Sequence, residues 1–216
     1  MTIEHIFPDL SSRLALQVLT DRDWSLGRST LAVAEAAIDG GATTIQLRDK
    51  DVDIRTLIEE GKALRKLTQQ RNVLLIVNDR VDVALAIEAD GVHVGQNDMP
   101  GELARKLIGP DRILGISAGS MDEAVAAAAA GADYLGVGPI FATRGKADAG
   151  APVGLGLLTE LKRRYTTPLI AIGGITAENA GTVIRAGASG IAVITAVVNA
   201  VDVTEATRVL AHAITV

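Results

Sequence analysis

The chain has 216 residues, a net charge of −5, 48% hydrophobic but only 2% aromatic residues, and no cysteine. That admits one domain with a large aliphatic core and excludes disulfides, thiolate metal sites and cysteine nucleophiles. An acidic chain is a poor nucleic-acid binder, so no nucleic-acid partner is expected, and an anionic ligand must be met by a local cluster of cations. In chain order, short β-branched runs alternate with Ala-rich amphipathic ones. The predicted strands are 14–20, 43–49, 74–79, 91–95, 113–118, 134–139, 168–174 and 190–197, and the predicted helices lie near 29–39, 52–70, 80–88, 100–108, 121–130, 155–164, 176–186 and 202–213.

No linker or low-complexity segment breaks this alternation, so residues 1–216 are expected to form a single domain. Near-continuous apolar strands joined by helices indicate parallel pairing with right-handed crossovers. Small-residue turns precede strands 2, 4, 6 and 8: "GGAT" (40–43), "ADGV" (89–92), "GADY" (131–134) and "GASG" (187–190). The unit is therefore a repeated βαβα quarter, and eight βα units in this length are best closed into a (β/α)8 TIM barrel. An open doubly wound sheet is the competitor. It carries a Gly-rich turn after its first strand, where this chain has "TDRDWS".

No apolar run approaches the roughly 18 residues of a membrane span, and the N-terminal "MTIEHIFPDLSS" lacks the basic-then-apolar order of a secretory signal. No membrane partner is expected, and a cysteine-free chain is compatible with a cytoplasmic setting. Homo-oligomerisation stays open.

A TIM barrel carries its chemistry at the C-terminal ends of its strands. In "TTIQLRDKD" the residues Gln46, Arg48 and Lys50 alternate, so a strand through them points all three the same way. A salt-bridge network at the rim is the plain alternative. After strand 3 come Asn78 and Asp79, after strand 4 Asp98 in "GQNDMP", and at the end of strand 5 Ser117; each could simply cap the next helix. Taken together, two cations, two carboxylates, an amide and a hydroxyl at one rim suit a diphosphate and an oxygen-liganded Mg2+.

The longest connection, 140–154, carries Thr143, Arg144 and Lys146 and is expected to be a flap over the site. The turn "IGGIT" after strand 7, with Gly173 and Gly174, and Thr195 at strand 8 form a second anion site; a tight turn with Thr176 as helix cap is the plain alternative. Two anion sites fit an enzyme that joins two phosphorylated small molecules. His93 is expected to be a buried, satisfied histidine, and Trp24 either closes the site or only packs.

The ordered run "QLRDK", "NDRVDVALAIEADGVHVGQNDMP", "GADYLGVGPIFATRGK", "AIGGIT" and "AGASGIAVITAV" resembles the thiamine-phosphate synthase (thiamine phosphate pyrophosphorylase) family over residues 14–200. The resemblance implies a TIM-barrel transferase. Its reaction couples 4-amino-2-methyl-5-hydroxymethylpyrimidine diphosphate with 4-methyl-5-hydroxyethylthiazole phosphate, or a carboxylated form, giving thiamine phosphate and diphosphate. Carried onto this chain, Gln46, Arg48, Lys50, Asn78, Ser117 and Lys146 hold the pyrimidine diphosphate, with Arg48, Lys50, Ser117 and Lys146 as the catalytic set. Asp79 and Asp98 hold the Mg2+ cofactor. Thr143, Arg144, Gly145, Gly174, Ile194 and Thr195 hold the thiazole phosphate.

The family usually reads Thr-x-Thr-Lys in the strand-6 loop. Here Gly145 replaces the second threonine, and Arg144 is expected to compensate. "AGS" (118–120) also departs from the family pattern. Two other readings stand beside the transferase: a thiazole tautomerase of the same fold, against which Pro139 and Gly119 count because that branch tends to have histidines there, and a non-catalytic phosphate-ligand binder.

Overall fold

Residues 3–143, 145 and 150–215 are described by the computed structural model. Eight parallel strands close in chain order: β1 (Leu16–Leu19), β2 (Thr44–Leu47), β3 (Leu74–Asn78), β4 (Gly91–Val94), β5 (Ile113–Ala118), β6 (Tyr134–Val137), β7 (Leu169–Ile172) and β8 (Gly190–Val193), with β8 pairing back to β1. The expected TIM barrel is the fold.

A short helix, α1 (Leu10–Arg13), precedes β1. The crossovers carry α2 (Thr30–Asp39), α3 (Ile54–Arg71), α4 (Val81–Ala86), α5 (Gly101–Ile108), α6 (Met121–Ala129), α7 (Gly154–Arg164) and α8 (Ala177–Arg185); α9 (Thr195–Val198) and α10 (Val203–Ala213) follow β8. No helix among the described residues is long and apolar enough to cross a membrane.

The strands are buried because helices cover their outer faces while their inward side chains fill the barrel. The lining is aliphatic except for one polar seam. Tyr134 on β6 touches His93 on β4 across the intervening β5, a contact that only inward-pointing side chains can make.

The repeated quarter has a physical basis. The residue just before each even-numbered strand places a side-chain oxygen on the N–H of the first or second residue of the preceding odd-numbered strand. Thr43 accepts from Leu16 at 2.9 Å, Asp90 from Leu75 at 2.8 Å, Asp133 from Leu114 at 2.7 Å and Ser189 from Leu169 at 3.3 Å. In the two middle quarters an arginine from the helix before adds a charge, Arg65 to Asp90 and Arg105 to Asp133. The turns that look alike in sequence are thus the places where strand starts, which have donors left over, find acceptors.

Burial pushes the Asp133 carboxyl up, and the Leu114 N–H and Arg105 pull it only part of the way back. A raised folded-state value means that ionised Asp133 costs stability at neutral pH, a cost that fades as pH falls through that value. Asp133→Asn keeps an acceptor for Leu114 and is expected to stay within about 1 kcal/mol of the parent. Asp133→Ala strands the Leu114 N–H and removes the carboxylate from Arg105, which keeps its bonds to the Gly109, Arg112 and Gly131 carbonyls, for an expected loss of about 1–3 kcal/mol, or roughly 3–10 °C in Tm. Equal melting temperatures for the two variants would remove Asp133 from the barrel's support.

Two boundaries differ from expectation, and both matter for the site. β2 stops at Leu47, so the strand alternation does not carry through Arg48 and Lys50. Thr20 holds the chain beyond it, accepting from Arg48 N at 2.9 Å and donating to Arg48 O at 3.0 Å. β8 stops at Val193, and the predicted strand over 194–197 is instead the start of α9. A short apolar run such as "GIAVITAV" has a single polar residue, Thr195, too few to reveal a period, so buried strand and buried helical turn look the same in sequence.

Candidate active site

At the C-terminal end of the barrel lies a cavity of about 560 Å³, within the range that takes a small substrate. One wall comes from the strand ends of β2 to β5 and holds Lys50, Asn78, Asp79, Asp98 and Ser117. The facing wall follows β6 to β8 and holds Thr143, Gly145, Gly174, Ile194 and Thr195.

The capping alternatives are not what these side chains do. α4 begins after Arg80 with no side-chain cap, and Asp79 does not serve it. Asp79 takes a left-handed backbone (φ 63°), its N–H donating to His93 O at 2.8 Å. That conformation costs most residues about 1 kcal/mol or more, and Asp tolerates it better than most. Its carboxylate lies on the cavity wall, 3.6 Å from Lys50 Nζ.

Asp98 leaves α5 uncapped as well and folds back, its Oδ2 accepting from Gly95 N at 2.7 Å. The absence of a side chain on Gly95 lets that oxygen come close, since a Cβ would sit 2.9 Å from it. Ser120, not Ser117, caps α6. Ser117 is left to bond His93, Oγ to Nε2 at 2.9 Å.

On the second wall Gly173 and Gly174 both have positive φ, 98° and 65°. They let the turn after β7 pass under the 139–142 segment; a Cβ on Gly174 would lie 2.6 Å from Ala142 O. The Thr176 alternative also holds in part. Its N–H donates to Asn179 Oδ1 at 2.9 Å at the start of α8, and Thr176 lines the cavity too. Thr195 opens α9, with Ile194 just outside it.

Three expected residues behave differently from Lys50. Gln46 is buried, with Nε2 3.4 Å from Gln17 Oε1, and is not on the cavity wall. Arg48 is 9% exposed, off the wall, and ion-paired to Asp21. The rim salt-bridge reading is thus realised for Arg48. Trp24 packs partly buried against the core, away from the cavity. Arg144 and Lys146 lie outside the described residues.

His93 is buried, as expected, but it is also a wall residue. Gln96, whose Nε2 donates to Ser117 O at 2.6 Å, along with Asn97 and Asn199, completes the lining and was not singled out by the sequence. The amides clustered in "GQND" were the available signal for the first two. Asn199 depends on α9, which the strand reading hid.

A family model described as thiamine monophosphate synthase matches residues 16–197. The chain belongs to the thiamine monophosphate synthase family. It is 58% identical over 195 residues to the thiamine-phosphate synthase of Chloroflexus aurantiacus, covering 90% of each chain. It is 53% identical over 189 residues to that of Moorella thermoacetica, covering 88% of this chain and 90% of the relative. Among solved structures, thiamine phosphate pyrophosphorylase from Pyrococcus furiosus superposes with a TM-score of 0.89 at 43% identity, covering 96% and 98% of the two chains.

Members of the thiamine monophosphate synthase family are transferases, and the chain is an enzyme of that class. The matched segment contains both walls of the cavity from Lys50 to Thr195. Among the described residues no group of three or more His, Asp or Glu side chains gathers as a metal site, and the first wall offers two carboxylates. Asp79 and Asp98 are carboxylates on one wall beside a cation, the hard-oxygen set that suits an ion keeping its own waters and taking phosphate oxygens.

Proposed function

We propose that the chain couples 4-amino-2-methyl-5-hydroxymethylpyrimidine diphosphate with 4-methyl-5-hydroxyethylthiazole phosphate, or its carboxylated form, releasing thiamine phosphate and diphosphate. The observation that carries this is the pairing of two unlike walls across one cavity. One has a cation with carboxylates, the other glycines, threonines and a helix start. A diphosphate and a monophosphate would be held facing each other.

Lys50, Asn78, Ser117 and Lys146 would hold the diphosphate, with Gln46 and Arg48 behind them, and Asp79 and Asp98 would hold Mg2+. That ion would supply charge neutralisation to the leaving group. Thr143, Arg144, Gly145, Gly174, Ile194 and Thr195 would hold the thiazole phosphate. The 4-amino group of the pyrimidine stabilises a cation at the exocyclic methylene, so the C–O bond breaks with its electron pair leaving on the diphosphate. The thiazole nitrogen then supplies the pair for the new C–N bond. Such a dissociative substitution needs no protein nucleophile. It needs the leaving charge held by fixed donors and water excluded, to which apolar wall residues such as Pro139, Ile172 and Val193 contribute.

The deciding assay mixes both phosphorylated substrates with Mg2+ and follows thiamine phosphate and diphosphate in equal amounts. Binding without turnover would leave a phosphate-ligand binder. Isomerisation of a carboxythiazole phosphate without diphosphate release would leave a tautomerase.

Gly145 gives a finer test. A Cβ there would stand 3.5 Å from both Thr143 Oγ1 and Thr195 Cγ2, which is ordinary contact. The position accepts a Cβ, and Gly145→Thr returns the hydroxyl that the family pattern carries there. One added hydrogen bond to a charged group is expected to lower KM for that substrate by about tenfold, measured with the pyrimidine diphosphate saturating. An unchanged KM would place the thiazole phosphate elsewhere.

A further inference from the structure

His93 lies within a chain of inward-facing polar groups that crosses the barrel and ends at Ser117. His93 Nδ1 is 2.9 Å from Tyr134 Oη, and His93 Nε2 is 2.9 Å from Ser117 Oγ. The imidazole sits in space that glycines leave open: a Cβ would lie 2.5 Å from Nδ1 if added at Gly115 and 2.7 Å from Cε1 if added at Gly136. The ring is thus built in, and one question about it is chemical: which nitrogen carries the proton.

We propose that His93 is a positioning residue: held by Tyr134 as the Nε2–H tautomer, it donates to Ser117 Oγ and so frees the Ser117 hydroxyl proton for a ligand oxygen in the cavity. That this oxygen belongs to the diphosphate rests on the function proposed above; the tautomer does not.

The direction of the chain follows from its far end. Gln46 Nε2 points at Gln17 Oε1, leaving the Gln17 Nε2 donor buried with no partner of ordinary geometry. The Gln17 side chain lies beside Tyr134, and with its Oε1 already taken by Gln46 the group it has left to face the phenol oxygen is the Nε2 donor. A phenol that receives a hydrogen bond, and that burial keeps protonated, gives its own proton onward. The acceptor at 2.9 Å is His93 Nδ1. An imidazole that accepts at Nδ1 is protonated at Nε2 in its neutral form, and so it donates to Ser117.

The consequence is a matter of sign. A serine has one hydroxyl proton. Were His93 Nε2 an acceptor, that proton would be used on the imidazole, and Ser117 would face an anion with lone pairs. With Nε2–H donating, Ser117 receives one hydrogen bond and can offer another to a charged oxygen, where such bonds are strongest.

The test begins with the ligand-free protein, 15N-labelled at histidine. The sequence has three histidines, so His93 is assigned by its disappearance in His93→Gln. Its neutral ring is expected to show a protonated Nε2 and a bare Nδ1; the opposite tautomer overturns the proposal whatever the enzyme's activity. Tyr134→Phe is then compared in two backgrounds by its affinity for inorganic diphosphate and by kcat/KM. In the parent it is expected to weaken both about tenfold. In Ser117→Ala it is expected to have no further effect, because its action passes through Ser117. The same tenfold loss in both backgrounds would mean that Tyr134 is merely structural and would also overturn the proposal. The expected tautomer in a protein that makes no thiamine phosphate would overturn the proposed reaction while leaving the His93 assignment intact.

Discussion

Asp98→Asn is expected to lower kcat/KM by two to three orders of magnitude and to remove the response to Mg2+, while Tm moves by no more than about 2 °C. The separation of effects follows from the two tasks of this carboxylate. Its Oδ2 accepts from Gly95 N, fixing the turn after β4, and it stands with Asp79 on the cavity wall. An asparagine oxygen can keep the first task. It cannot keep the second, because a neutral amide oxygen is a much weaker ligand for a hard dication than a carboxylate.

Alanine is the less informative replacement, since it also leaves the Gly95 N–H without its acceptor, a further loss of about 1–3 kcal/mol. The measurements are activity across a Mg2+ titration and a thermal melt. An asparagine variant that still responds to Mg2+ with parent-like half-saturation would remove Asp98 from the metal's shell. A variant that melts far below the parent would show that the charge, not the acceptor, holds the turn.

The sequence carried the barrel because the barrel's demands are periodic. Eight buried strands need apolar runs, eight crossovers need amphipathic helices, and the even-strand turns repeat because each ends in a residue that accepts a neighbour's N–H. The polar residues that line the first wall stood out in the sequence for a different reason: polar groups at strand ends are out of place in a core. What escaped was anything that depends on where an element stops. The alternation that groups Gln46, Arg48 and Lys50 holds only while the chain remains a strand, and β2 ends at Leu47. Arg48 then turns to Asp21, Lys50 comes within 3.6 Å of Asp79, and the three polar groups part company. His93 escaped for the converse reason. Burial is legible from a strand pattern, but the end of a ring that reaches a cavity is set by side chains from β5 and β6.

Arg48 is where the ion-pair and ligand readings compete, and a pair of variants separates them. Arg48 and Asp21 are each 9% exposed. Arg48→Leu strands the Asp21 carboxylate and is expected to cost about 3–5 kcal/mol, roughly 10 °C in Tm. Adding Asp21→Asn removes the stranded charge while keeping an oxygen for the Asp23 N–H, which Asp21 Oδ1 accepts at 3.2 Å. Most of the stability should return. If the pair is only a rim salt bridge, activity should return with it.

If Arg48 also serves the diphosphate, KM for the pyrimidine substrate should stay raised by about 10- to 100-fold in the double variant. The second outcome is the expected one. Asp21 occupies Nη1, whereas Nε is buried with no hydrogen-bond partner among the described residues. A buried guanidinium donor without an acceptor is costly to keep, and an arriving phosphate oxygen would end that cost without breaking the bond to Asp21. Asp21 on this account aims the guanidinium rather than competing for it. Asp21→Asn alone should then raise KM by several-fold; a lower KM would mean that Asp21 and the diphosphate contend for the same donors.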